Sequence, residues 1–245
     1  MVNRYLLQQG YLSCNLEELE RVKNKVKIMP AICLVLTATG IILQQPLINV
    51  LVFLIGFLGF VMKKYHPLDY LVSKIAHLLG KPFERLSNPL PRRLACVSGA
   101  FFNLLIAISL FNNLTYLAIA FGAILGVLQL IVIFTHFCAA SWLYEEMYKY
   151  LDFGEHISVQ EARKLHREGA LLVDVRSPKE YQRQVISGAI NIPFQMLEQH
   201  TAFHNKKIIL YCDSGLRSQE AAQIINTRGW ATAYNLGNIK NAISL

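Results

Sequence analysis

The sequence predicts a membrane α-helical bundle of four transmembrane helices, followed by a small α/β domain with a parallel sheet. Three observations lead there. Of 245 residues, 53% are hydrophobic and 16% charged, with mean hydropathy +0.34, whereas soluble domains carry about 25% charged residues. Ile28–Met62 and Leu94–Tyr144 contain no Asp, Glu, Lys or Arg, over 35 and 51 residues. From about Glu155, short apolar strands alternate with helices, the pattern of a parallel sheet covered on both faces. Charge divides the chain at the same place. Residues 1–150 hold 13 Lys+Arg against 7 Asp+Glu, and residues 151–245 hold 11 against 9. A single soluble globule, a disordered chain and a nucleic-acid binder are excluded by this distribution. Five cysteines at scattered positions (14, 33, 96, 138 and 212) make no disulfide framework.

The first 27 residues place Glu17, Glu18, Glu20, Arg21, Lys23 and Lys25 where a secretory signal needs an apolar core. Asn15 with Glu18 reads as a helix N-cap, and Leu16, Leu19 and Val22 keep helical spacing along one face. Gln44-Gln45-Pro46 divides the first apolar run into spans at about 28–43 and 47–62. Asn112-Asn113 divides the second into spans at about 94–111 and 114–134. The last two reach the roughly 17 residues a spanning helix needs, and the first two are marginal. The connector 63–93 carries seven basic residues, Lys63, Lys64, Lys74, Lys81, Arg85, Arg92 and Arg93, against Asp69 and Glu84. The positive-inside rule puts this connector and both termini on the cytoplasmic side of the plasma (inner) membrane. Within it, Leu68, Leu71, Val72, Ile75 and Leu79 form the apolar side of an in-plane helix.

No span carries a charged residue, which argues against an ion-coupled pump. Gly122 and Gly126 form a GxxxG pair, read as packing within the bundle, and Asn103 and Gln129 could bond across helices. Cys33, Cys96 and Cys138 fall near the cytoplasmic ends of spans. They are small buried hydrophobes or, alternatively, a relay of thiols exchanging sulfur with the second domain.

In the second half, Ser158–Glu161 is a capping box opening a helix, residues 170–176 are a strand, and Pro178 starts another helix. Strands follow at 189–192, 207–212 and 231–236, with a helix at 218–227 before the last. Cys212 ends the 207–212 strand, where open α/β sheets bind ligands. The loop Cys212-Asp213-Ser214-Gly215-Leu216-Arg217, with Ser218, places a thiol at the rim of a backbone N–H nest leading into a helix N-terminus. Amide dipoles, the helix end and a nearby guanidinium favour a thiolate and hold an anion such as a persulfide or thiosulfate.

Asp174-Val-Arg176, Glu180-Tyr181, Gly188-Ala-Ile-Asn-Ile-Pro193 and Tyr211-Cys-Asp-Ser-Gly-Leu-Arg217-Ser218 resemble a single rhodanese domain over roughly residues 155–242. That resemblance implies that Cys212 attacks a sulfane sulfur, holds it as a persulfide and passes it to an acceptor thiol or to cyanide. Cys212 and Arg217 are then the catalytic residues. Asp213, Ser214, Gly215, Leu216, Ser218 and Arg176 are substrate-binding candidates, and Asp174 and Glu180 are structural residues near the site. Four residues separate Cys212 from Arg217, whereas related phosphatases use five to surround a phosphoryl group. Val185, Asn238 and Ala242 depart from the family's usual His, Gly and Trp. Asp213 puts a negative charge beside the nest, which should disfavour dianionic thiosulfate relative to a persulfide donor. The first half is similar to a bacterial membrane domain of unknown function that is sometimes fused to rhodanese, on its helical hairpins and Asn88-Pro-Leu-Pro91-Arg92-Arg93.

The expected protein is thus a bacterial inner-membrane sulfurtransferase. No metal or organic cofactor is implied: no His/Cys spacing suits zinc and no Gly-rich nucleotide loop appears. Expected partners are a small sulfur-containing substrate, the lipid bilayer and an acceptor thiol protein, with a homo-oligomer open and nucleic acid excluded. Two rival functions remain at this stage, a transporter of a sulfur compound captured by Cys212 and a noncatalytic sulfur-sensing module.

Overall fold

A computed structural model describes residues 4–11, 16–80, 83–151, 154–200 and 203–245, with only the backbone given for 4 and 16–19. The expected Asn15–Glu18 cap lies outside the described residues, as does Cys14. The helices in order are α1 (Arg4–Gln8), α2 (Leu16–Lys25), α3 (Ile28–Ile42), α4 (Pro46–Val61), α5 (Pro67–Leu78), α6 (Leu90–Phe111), α7 (Thr115–Thr135) and α8 (Ala139–Leu151). There follow α9 (Val159–Arg167), β1 (Leu171–Asp174), α10 (Pro178–Arg183), β2 (Ala189–Asn191), a 3₁₀ turn (Phe194–Gln199), β3 (Lys207–Cys212), α11 (Leu216–Thr227), β4 (Thr232–Asn238) and α12 (Ile239–Ile243). Two compact units result. Leu19–Trp142 form most of the first, and Leu143–Leu245 most of the second, so the second unit begins within α8.

Both predicted turns of the first unit are present, and each is made the same way. Gln44 (φ 54°) and Asn113 (φ 58°) adopt the left-handed conformation just after α3 and α6. The amides of Gln45 and Leu114 then reach back to the carbonyls of Gly40 (2.9 Å) and Ser109 (2.8 Å). This satisfies the last carbonyls of each helix and reverses the chain in three residues. Three segments are long and apolar enough to cross a membrane: Glu20–Ile42, Leu90–Phe111 and Thr115–Thr135. The apolar helix Pro46–Val61 is shorter, about 24 Å at 1.5 Å per residue.

The third span departs from expectation at its start. Its helix begins at Leu90 rather than residue 94, because Pro91 lies in the first turn, where its missing N–H costs nothing. Arg92 and Arg93 are thereby drawn into the fold. The Arg92 guanidinium is buried against the Asp69 carboxylate at 3.1 and 3.3 Å and also donates to the Ser87 carbonyl. Arg93 donates to the Phe60 carbonyl, and Asn88 to those of Gly59 and Met62, closing the end of α4. The Asn88–Arg93 motif is therefore a clamp joining α4, α5 and α6, and two of the connector's cations are structural. His66 caps α5 by accepting the Leu68 N–H at Nδ1. Burial first, and then Arg92, lower its pKa to about 4, which keeps that nitrogen free to accept at neutral pH.

Asn103 does not bond to Gln129. Its Oδ1 accepts from the Thr37 hydroxyl (2.9 Å) and the Asn49 amide (3.2 Å), tying α6 to α3 and α4. Gln129 Oε1 is buried without a partner. The GxxxG face packs inside the bundle, with Gly122 against Ile41 and Gly126 against Leu34 of α3.

The second unit carries a four-stranded, all-parallel sheet in the order β2-β1-β3-β4. Leu172, Ile209, Tyr211 and Leu236 face α9 and α12, meeting Ala162, Leu165, Ile239 and Ala242 in one buried cluster. Side-chain alternation sends Val173, Ile208 and Leu210 to the other face, and α11 buries Ala221, Ala222 and Ile225. Each strand is entered from a left-handed residue: Gly169, Gly188, Asn205 and Gly229. Parallel strands joined in this way all deliver their carboxyl ends to one rim.

Candidate active site

That rim holds the predicted loop. β3 runs out at Cys212, and α11 starts four residues later at Leu216. The turn between them needs Gly215 at φ +96°, a region that L side chains rarely adopt. A Cβ there would meet Gly237 at 3.4 Å, so conformation rather than space imposes the glycine. The turn aims the Gly215 N–H at Cys212 Sγ, 3.0 Å away. The Ser218 hydroxyl lies 3.7 Å from the same sulfur and within reach of the carbonyls of Gly215 (3.0 Å) and Gly237 (3.1 Å). Its single proton is therefore shared among stronger acceptors. Cys212, Ser214, Gly215, Arg217 and Ser218 are buried, while Asp213 and Leu216 are partly exposed.

Arg217 does not donate a hydrogen bond to Cys212 among the described residues. Its Nη1 and Nη2 each bond Glu180, both at 3.0 Å, in a buried fork-to-fork pair. Glu180 in turn accepts the N–H (2.9 Å) and hydroxyl (2.6 Å) of Ser177, completing the capping box of α10. A line of contacts from Ser177 through Glu180 thus fixes the guanidinium beside the loop. Burial alone would raise the Glu180 pKa, but Arg217 and Ser177 overcome it and hold the carboxyl well below the usual range. Burial would likewise lower that of Arg217. Cys212 first, then Glu180, outweigh it and raise it.

Asp174 and Arg176 form a second buried pair. The Asp174 carboxylate accepts the Arg176 backbone N–H at 2.8 Å and its Nε and Nη2, the latter at 2.6 Å. Nη2 also reaches the Gln184 carbonyl, and Asn191 bonds the carbonyls of Asp174 and Arg176. Arg176 thereby holds the end of β1 and its following turn. The negative charge of Asp213 is paired. Lys149 of α8 donates to both its carboxylate oxygens at 3.2 and 3.3 Å, so its charge is compensated rather than left facing an incoming anion.

Sequence reading missed α8 as part of this site. Glu145 lies 3.5 Å from the Ser214 hydroxyl, and the Tyr148 hydroxyl bonds the Gln219 side chain. An acid and a lysine four residues apart signal only an exposed helix face. In the first unit, Cys33, Cys96 and Cys138 are free thiols that line one cavity of about 160 Å³.

Comparison with known proteins places both halves of the chain in families. Residues 158–245 match the model of the rhodanese-like domain, and residues 23–149 match a domain of unknown function, DUF4395. The chain is similar to thiosulfate sulfurtransferase PspE of Escherichia coli, 33% identical over 73 residues, or 28% of this chain and 70% of that protein. It is also similar to the uncharacterized protein YqhL of Bacillus subtilis, 33% identical over 112 residues, or 45% and 84%. A third similar protein is thiosulfate sulfurtransferase GlpE of Ectopseudomonas mendocina, 31% identical over 84 residues, or 34% and 77%.

Proposed function

The chain belongs to the rhodanese family of sulfurtransferases, its first half to the DUF4395 family, and from that premise we propose a membrane-anchored enzyme that carries sulfane sulfur on Cys212. The observation that carries this reading is the Gly215 N–H aimed at Cys212 Sγ from a left-handed turn at the end of a parallel strand. In the first half-reaction the Cys212 thiolate attacks the outer sulfur of the donor. The donor's S–S bond breaks, and the former carrier leaves with the electron pair, as sulfite from thiosulfate or as a thiol, after protonation, from a persulfide. A new S–S bond now holds the sulfur as Cys212–S–S⁻. In the second, an acceptor thiolate or cyanide attacks that outer sulfur, and Cys212 returns as thiolate. The loop amides and the Arg217 charge stabilise the anionic sulfur at both stages. Asp213, Ser214, Gly215, Leu216 and Ser218 frame the donor.

Three apolar segments of spanning length support an anchor in the inner membrane, and with the shorter apolar helix Pro46–Val61 as a fourth crossing the basic connector puts both termini on the cytoplasmic side. Mass spectrometry tests the chemistry. After exposure to a sulfur donor, the peptide containing Cys212 is expected to be about 32 Da heavier, one added sulfur atom. An unmodified peptide under conditions of sulfur transfer overturns the reading.

A second reading has its own observation: Cys33, Cys96 and Cys138 converge on one cavity in the first unit. In that reading these thiols pass a sulfur compound inward, and Cys212 captures it. Vesicles containing the intact chain should then accumulate label from thiosulfate carrying labelled sulfane sulfur, and Cys212→Ser should abolish the accumulation. Equal uptake by empty vesicles rejects transport.

A further inference from the structure

We propose that the second half of α8 is a latch closed over the persulfide loop, so that donors reach Cys212 only when Glu145, Tyr148 and Lys149 let go. The proposal rests on Cys212 being the sulfur-carrying residue, and concerns the regulation of that site. Residues 145, 148 and 149 lie on one face of a helix, at spacings of three and four. Each has its own partner in the loop or at the start of α11. Glu145 approaches the Ser214 hydroxyl at 3.5 Å, Lys149 holds both oxygens of Asp213, and Tyr148 bonds Gln219 in the first turn of α11. All three lie within the second compact unit. Glu145 and Tyr148 are themselves buried, at 7% and 8% exposure, as are Cys212 and Ser214 of the loop they hold, at 0% and 1%.

A sulfur that must meet a donor and then an acceptor cannot turn over from beneath such a cover. The contacts suit a reversible closure. One is a long hydrogen bond, one a neutral pair and one an ion pair whose side chains are 22% and 26% exposed, partly screened by water.

Alkylation of Cys212 by iodoacetamide, followed on the intact chain in lipid nanodiscs by peptide mass, tests closure without requiring sulfur transfer. Lys149→Glu, which opposes Asp213, and Tyr148→Phe, which removes the bond to Gln219, are each expected to speed alkylation, the charge reversal by on the order of tenfold. The exchanged pair Lys149→Asp with Asp213→Lys should return the rate toward that of the parent, which general loosening of the domain would not do. Unchanged rates in both single variants, or no recovery in the exchanged pair, overturn the latch. If Cys212 alkylates as expected yet never carries added sulfur, the sulfurtransferase reading fails, and what remains is closure of α8 over a thiol that takes up no sulfur rather than a latch regulating sulfur transfer.

Discussion

Thiocyanate formation from a sulfur donor and cyanide is expected to fall by more than about 10³-fold in Cys212→Ser, with the fold intact. Two independent losses cause this. An alcohol does not ionise near neutral pH, whereas an ordinary thiol does so near about 8.5, so the nucleophile disappears. Oxygen also cannot store sulfane sulfur as a stable S–S bond, so no intermediate remains even if attack occurred. The substitution is structurally mild. Cys212 is fully buried at the end of β3, and the Gly215 N–H that now points at Sγ can donate to the smaller hydroxyl. Steady-state assays beside thermal unfolding separate the two quantities. Retained turnover would move the chemistry away from this loop.

Glu180→Ala is expected to destabilise the second unit by about 3–5 kcal/mol and to reduce transfer as well. The cost arises because Arg217 stays charged and buried after its bidentate partner is gone. Against a total stability of about 5–15 kcal/mol, such a loss is large. The N-terminal cap of α10 is also released, since Glu180 bonds Ser177 at both N–H and hydroxyl. The same carboxylate sets an acid limit. Its pKa is depressed in the folded chain, so its stabilisation is complete above the ordinary carboxylate value. It fades as pH falls below that value toward the folded one. Chemical denaturation measured from pH 7 down to 3 should show a stability loss in the parent that is much smaller in Glu180→Ala. Parallel curves would show that the pair does not contribute in this way.

The elements that depend on local chain chemistry were legible in the sequence. The two left-handed reversals at Gln44 and Asn113 fall at the expected dipeptides, and β1 to β4 appear where apolar runs meet glycine or proline. The Cys212–Ser218 loop was legible because its geometry is set within seven residues. Contacts between distant segments were not. Asp213 looked like a free charge until Lys149, 64 residues earlier, was found beside it. Arg92 and Arg93 counted as cytoplasmic cations by a rule that weighs charges without asking what they touch, and one is spent on Asp69 and the other on the Phe60 carbonyl. Asn103 had several candidate amides at membrane depth, and only packing chose Thr37 and Asn49.

The strand entries at Gly169, Gly188, Asn205 and Gly229 separate two kinds of constraint within one small sheet. At that lower edge, handedness of the backbone is the principal demand, and any residue pair that reverses the chain will serve. The opposite edge answers to sulfur chemistry. Drift in sequence can therefore accumulate at the base of the sheet, through altered turns and short insertions, while the reacting atoms above keep their positions.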